Sequence, residues 1–511
     1  MTAFTPTSTR LKHAPGPADE GRRAVRDSLI VTVGGQLEQV LGTITSFALR
    51  WGLDPARLGV YTGLRPYLDN TNRSSLGVGL GAVQEVPILR AAGRVDEARR
   101  VANIAYTTNS ITCLVYGALI VIWGLLRAPT LQDNPLAREW TWGLMGMVAL
   151  VPLKRYQDFL IAILRAHQEF ALVTELAIVD ALLSAFTTVL GLWLAGFWGL
   201  IGSVGFLMVF NIIYLHARQA FRFAWEWDWP TVARLMRVGL PIWANTGLYF
   251  AALNVDRGLI LWLVPDGERA LGLYSIALMG TGWGLDLAGR IALVMYTYFQ
   301  TTLGRTSDVA EVARQALATA EAQAPVLGAG AAVAYLVGPV FLGALLPRYA
   351  EGLAALRPLL PGVVLLGLSW PARQMLITIN RPFRLAVAML WGLGVLLAAG
   401  TLGAVRGEMV GVAWGMTIGY AVVFLTTAWA AFGTTLGARV WLGHQGRLAA
   451  ELAWFAAVAL FAAHAPLPES ALGHWGAFAV RCLVLTALGL PRLWAWGKKH
   501  GWGGILERWG L

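Results

Sequence analysis

Charge is scarce in this chain. Only 14% of its 511 residues are Asp, Glu, Lys or Arg, against about 25% in soluble domains. That is too little polar surface to cover a water-soluble globule. Cysteine is almost absent. Cys113 and Cys482 both fall in apolar stretches, which excludes a disulfide scaffold and makes each a small buried hydrophobe. No Walker-type phosphate loop occurs, so the chain lacks the cradle for ATP hydrolysis. The seven His show no metal-ligand spacing, and neither a metal nor a cofactor is expected. No polar stretch between apolar runs is long enough to be a soluble catalytic domain. Acidic residues are the scarcer sign, 29 against 40 Lys and Arg, giving a net charge of +11. Those bases are scattered singly between apolar runs rather than gathered on one module, which argues against a nucleic-acid partner.

What is present is apolar length. The hydrophobic fraction is 57% and the mean hydropathy +0.58. A bilayer core about 30 Å thick needs about 20 apolar residues per helix. On that criterion fourteen spans are predicted, at 28–49, 58–89, 101–126, 139–164, 171–194, 197–217, 239–264, 272–302, 322–346, 358–380, 385–405, 409–433, 451–466 and 474–491. Residues 1–27 are polar, with Arg22, Arg23 and Arg26 leading into span one. They read as a cytoplasmic segment rather than a signal peptide, because the following apolar run is too long and lacks a cleavage site.

Lys and Arg set the orientation. With the N-terminus inside, 24 lie in cytoplasmic segments, 8 in the opposite loops and 8 within spans. This predicts a multi-pass protein of the cytoplasmic (inner) membrane with both termini cytoplasmic. Trp140 and Trp142, Trp225, Trp227 and Trp229, and Trp494 and Trp496 cluster at predicted interfaces, as aromatic belts do.

An internal repeat is visible. Leu58-Gly59-Val60-Tyr61 recurs as Leu271-Gly272-Leu273-Tyr274, and Gly93-Arg94 recurs as Gly304-Arg305. Both matches join equivalent spans at nearly one offset. They predict parallel repeats of six spans each, 28–217 and 239–433, of like orientation. Segment 218–238 reads as an amphipathic cytoplasmic linker helix, rich in Arg and Trp. Residues 434–511 hold spans thirteen and fourteen and a cytoplasmic tail.

Ionisable groups at membrane depth cost at least about 2.5 kcal/mol each near the centre and usually face an interior or a wet cavity. Span two is the most polar. Arg65, Asp69 and Arg73 recur every four residues, which on an unbroken helix places them on one face. Span one carries Glu38 and Gln39, span four Lys154, Arg155 and Asp158, span seven Asn254, Asp256 and Arg257, and span eight Asp286 and Arg290. Spans one, two, seven and eight are the first pair of each predicted repeat, so they are expected to line one central cleft. Internal ion pairing within each helix is the alternative reading. An arginine-rich cleft suits phosphate or pyrophosphate, because the guanidinium is a planar fork of donors that stays charged. Gly77-Val78-Gly79-Leu80-Gly81 mimics a dinucleotide loop but sits in a span without a preceding strand, so it reads as close helix packing.

Leu58-Gly59-Val60-Tyr61, the polar second span, and Gly93-Arg94 leading into Glu97-Ala98-Arg99-Arg100 resemble the polysaccharide-exporter (Wzx-type flippase) family. That family belongs to the multidrug/oligosaccharidyl-lipid/polysaccharide exporter superfamily. Val238-Gly239-Leu240-Pro241, Asn254-Val255-Asp256-Arg257 and Asn380-Arg381-Pro382 extend the likeness, which covers residues 28–433. The resemblance implies two six-helix lobes around a V-shaped cavity and alternating access. It implies a polyprenyl-pyrophosphate-linked oligosaccharide as cargo, with membrane lipids and other polysaccharide-assembly proteins as partners. Fourteen spans, rather than the twelve of many members, approach the related lipid II flippases.

The resulting expectation is an all-α polytopic flippase for envelope polysaccharide, and not an enzyme. Arg65, Arg73, Arg257 and Arg290 are the candidate pyrophosphate ligands, with Lys154, Arg155 and Arg373 in reserve. Glu38, Asp69, Asp256 and Asp286 are candidates for coupling to Na+ or H+, or for charge balance. The rivals are a lipid II flippase, a multidrug/cation antiporter, in which acids rather than arginines would dominate transport, and a membrane-embedded glycosyltransferase or polymerase.

Overall fold

The computed structural model describes residues 39–166, 169–219, 221–465 and 469–500. The segment 1–27, the first half of span one with Glu38, and the end of the tail lie outside them. Helices account for nearly all of the rest, and no strand occurs among the described residues. In chain order they are α1 (39–52), α2 (Pro55–Asp69), α3 (Val78–Ala91), α4 (Val95–Arg127), α5 (Ala137–Ala166), α6 (Phe170–Arg218), α7 (Trp229–Leu263) and α8 (Gly267–Thr306). They continue as α9 (Val309–Leu345), α10 (Leu356–Leu368), α11 (Trp370–Thr378), α12 (Pro382–Ala428), the short α13 (Thr434–Leu436), α14 (Ala438–His464) and α15 (Glu469–His500).

Among the described residues, seven segments are long and apolar enough to cross a membrane. Two of them, 171–218 and 382–436, fold back on themselves. In α6 the helix reverses at Ala195 and Gly196, and in α12 at Gly407 and Glu408. Helices 39–52, 55–69, 78–91, 137–166, 229–263 and 267–306 are less apolar and carry most of the charged residues noted above. The protein is an all-α polytopic membrane protein.

Lipid tails are as apolar as Leu, so apolar burial alone cannot hold such helices together. Close backbone approach and polar pairs must do so. Both devices recur. A Cβ on Gly191 would lie 2.5 Å from the Gly199 carbonyl oxygen, and one on Gly403 would lie 2.1 Å from that of Gly411. Arg57 pairs with Glu139 at 3.3 Å, and Arg269 with Glu351 at 3.1 Å. In each case the second instance lies 212 residues after the first. Between the halves the contact is reciprocal. A Cβ on Gly59 would meet the Glu268 oxygen at 1.7 Å, and a Cβ on Gly272 would meet the Pro55 oxygen at 1.7 Å. Only glycine allows α2 and α8 to cross so closely. This interlock joins the halves on the face of the 54–57 and 266–269 turns, here called the hairpin face. The opposite face, where chain segment 221–228 runs, is the linker face.

Three expectations are corrected. Span 58–89 is not one helix. It breaks after Asp69 into a 3-10 turn, Thr71–Ser75, and restarts at Val78. Leu76 and Gly77 take φ of +47° and +87°. Arg65, Asp69 and Arg73 therefore do not share one continuous face. The linker 218–238 is not a separate amphipathic helix either. Residues 221–228 are non-helical and lie along α4, where Asn103 Oδ1 accepts from Ala224 N and Thr107 Oγ1 from Glu226 N. Asp228 then caps α7, accepting from Thr231 N. Competing hydrogen bonds to α4 side chains are what keep this segment extended.

Glu408 holds φ +51° and ψ −138° at the α12 reversal, a region that favours glycine. Its counterpart position, 212 residues earlier, is Gly196. A non-glycine residue in such a region costs about 1–3 kcal/mol, and Glu408 is exposed. Glu408→Gly is expected to raise the thermal unfolding temperature of the detergent-solubilised protein. An unchanged or lowered midpoint would refute the strain.

Candidate functional site

The break in α2 is what builds the first polar group. Pro66 withholds a backbone donor in the last turn of α2, and Asn70, Asn72, Ser74 and Ser75 offer side-chain partners that compete with helix. Gly77 then packs on Gly239 of α7, where a Cβ would come within 2.5 Å of the backbone carbon. The break presents Arg73 to α7. Its guanidinium lies 4.0 Å from the Phe250 ring centroid, and its carbonyl accepts from Trp243 Nε1 at 2.7 Å. At the other end of the same seam, Gly63 faces Leu261. Positions 250, 254, 257 and 261 share one helical face. Asn254 and Arg257 therefore stand between those two contacts, opposite α2. Arg257 donates to the Asn254 oxygen. Arg65 is paired within α2, with Asp69 at 2.9 Å and the Tyr61 hydroxyl at 2.8 Å.

The second group lies where α1 meets α8. Gln39 Nε2 donates to Asp286 Oδ2 at 2.7 Å, and Gln39 Oε1 accepts from Arg290 at 3.3 Å. One amide thus bonds to both charged groups. All three line a cavity of about 520 Å³ between α1, α8, α9 and α10. Beyond them its walls are almost wholly apolar, with Phe47, Leu327, Val333, Phe341 and Leu360 among them. Trp283, Val333 and Phe341 on its rim are substantially exposed.

The single expected cleft is thus resolved into a seam, with Arg65, Asp69, Arg73 and Arg257, and a cavity, with Asp286 and Arg290. Four other expected residues belong to neither. Arg373 is only 7% exposed and lies inside the C-terminal half, 3.9 Å from the Tyr249 ring centroid and 5.0 Å from that of Trp370. Asp256 is 1% exposed and accepts from the backbone N–H of Arg257. It points into the packed helix interface. Arg155 is buried against α4, donating to Asn72 and Asn109, while its neighbour Lys154 pairs with Asp158 at 2.6 Å. Arg50 escaped the sequence reading because it follows the predicted end of span one. It bonds Ser46 O and Ser275 O, both at 2.7 Å, and fixes α1 to α8.

Helix packing of this kind is shared with solved membrane exporters. The chain superimposes on a structure described as the lipid II flippase MurJ in an inward closed conformation, with TM-score 0.68 and 13% identity, over 92% of this chain and 99% of that one. It also superimposes on an inward-facing multidrug resistance MATE family transporter of the MOP superfamily, with TM-score 0.63 and 13% identity, over 81% and 95%. A MATE structure in complex with MaD3S matches with TM-score 0.57 and 16% identity, over 84% and 96%. A direct sequence comparison with curated proteins finds no match.

Residues 94–345 match the sequence profile of a family described as polysaccharide biosynthesis protein. That match spans just under half of the chain, and the likeness to the solved exporters is one of fold over most of it.

Proposed function

We propose that the protein is a flippase that carries a polyprenyl-pyrophosphate-linked oligosaccharide across the cytoplasmic membrane for envelope polysaccharide assembly. The observation that carries this reading is the amphipathic cavity. Its apolar walls suit a lipid chain, and Arg290 stands at its polar end, where a charged headgroup would join that chain. Arginine is suited to this because its fork of donors can hold two phosphate oxygens at once. Arg73, Arg257 and Arg65 along the seam would receive the pyrophosphate as the halves move. Asp286 and Asp69 are the accessible carboxylates for charge balance or coupling to Na+ or H+. The described lipid II flippase is a structural neighbour over nearly the whole chain, which supports a lipid-linked cargo over a small cation.

In this reading residues 28–217 and 239–433 are two repeats that rock against each other. The linker face is cytoplasmic, as the distribution of Lys and Arg indicates.

The test is reconstitution. Liposomes holding the purified protein receive a fluorescent polyprenyl-pyrophosphate oligosaccharide, and exposure to a membrane-impermeant quencher is followed in time. Lipid II and a cationic dye serve as parallel cargoes. Faster exposure of the oligosaccharide than in protein-free liposomes is expected. A rate equal to the protein-free control, or transport of the dye alone, would sink the proposal.

A further inference from the structure

A second pocket, of about 270 Å³, opens between α4 and α5 toward the linker face. It is separate from the α1–α8 cavity and shares no lining residue with it. Tyr106, Phe159 and Trp225 supply aromatic walls, and Ser110, Asn109 and Arg155 supply polar ones. Trp225 belongs to the extended linker and is 64% exposed, as are its neighbours Trp227 and Trp229 to a similar degree. A row of exposed Trp of this kind marks the water–lipid interface. The pocket mouth therefore lies at the depth of lipid headgroups.

The charge inside it is not balanced. Arg155 is 6% exposed. Its two terminal nitrogens donate to the side-chain oxygens of Asn72 and Asn109, both neutral. Its Nε is buried and has no acceptor. The nearby carboxylate, Asp158, is taken on both oxygens, by Lys154 Nζ at 2.6 Å and by Asn72 Nδ2 at 2.5 Å. Two cations thus share one carboxylate. A buried guanidinium held only by amide oxygens, with one donor unused, is costly unless an anion supplies the missing charge and acceptor.

We propose that the Arg155 pocket binds a phosphate anion carried on a small group, of the size of a phospholipid headgroup. Its volume lies below the roughly 300–1,000 Å³ of drug-sized sites, so it admits a headgroup and not a glycan. Arg155 supplies the charge and the free N–H, and the aromatic walls hold the glycerol portion. Through Asn72 the occupied site is joined to the break between α2 and α3, one residue from Arg73. Binding there is therefore placed to steady the seam from outside it.

Two sources of phosphate are separable by experiment. The purified full-length protein in neutral detergent is titrated with dihexanoyl phosphatidylglycerol and, separately, with inorganic phosphate. Wild type, Arg155→Gln, Ser110→Phe and Arg290→Gln are compared. Ser110→Phe fills the pocket from its wall and leaves the Arg155 bonds in place, so it covers the case in which Arg155→Gln disturbs folding. Saturable phosphatidylglycerol binding, weakened at least tenfold by Arg155→Gln and by Ser110→Phe but retained by Arg290→Gln, is expected. The same pattern with inorganic phosphate alone supports the anion site and assigns it to a free phosphate. Binding unchanged in both pocket variants, absence of saturable binding by either probe, or loss in Arg290→Gln instead would overturn the proposal.

Discussion

Replacing Arg290 with Ala is expected to slow translocation of the lipid-linked oligosaccharide roughly thirtyfold, about 2 kcal/mol, the worth of a hydrogen bond to a charged group. Expression and thermal stability should stay near wild type, because Arg290 is only half-buried and lines an open cavity. Arg290→Lys keeps the charge but loses the planar fork, and should fall between the two. Asp286→Asn separates the two readings of the site. If the arginine carries recognition of the anion, removing the neighbouring carboxylate leaves transport of the oligosaccharide within a few-fold of wild type. If a cation is the cargo, Asp286→Asn is the damaging change and Arg290→Ala the mild one. Initial rates in liposomes at matched protein density decide between them.

The sequence singled out residues that the fold brings to the seam and the cavity, and what it left unread has physical causes. The polar crossings stood out because an ionisable group inside a run of apolar residues is expensive wherever that run crosses a bilayer. Asp286 and Arg290 were visible on those grounds, but their mediation by Gln39 was not, since that contact joins residues 247 and 251 positions apart. The break at 70–77 was hidden for a similar reason. The glycines after it read equally well as helix packing, and what bends the chain is Gly77 meeting Gly239 in the other half. Lys154 and Arg155 had looked interchangeable. Successive residues on a helix point about 100° apart, so one side chain pairs with Asp158 and the other enters the α4 interface. Arg373 was expected as a reserve ligand of the cleft and is instead buried inside the C-terminal half. Which side of α11 it took depended on Tyr249 and Trp370, and no local pattern encodes a stack against a helix more than a hundred residues away.

The glycine interlock carries the second large effect. Gly59→Val and Gly272→Val are each expected to prevent closure of the hairpin face and to lower translocation by more than tenfold. A Cβ at either position would meet a backbone carbonyl at 1.7 Å, and a backbone oxygen cannot swing aside as a flexible side chain can. Overpacking costs typically about 1–3 kcal/mol. Helix pairs within each half keep their own packing, so the strain is expected to be relieved by separating α2 from α8 rather than by unfolding. A penalty near the top of that range shifts a two-state equilibrium more than a hundredfold. The contact is reciprocal, with Gly59 on Glu268 and Gly272 on Pro55, so the two variants should behave alike although they lie in different halves. Spin labels at Arg57 and Arg269, both half-exposed at the rim of the interlock, report the separation once Cys113 and Cys482 are replaced by Ala. Both valine variants should move the distance distribution to longer values, while Gly42→Ala, where a Cβ would meet nothing within 4 Å, should not. If Gly59→Val and Gly272→Val keep the wild-type distribution and rate, the interlock is not the closing contact. If only one of them responds, the two contacts do not share the load and closure rests on the responding one.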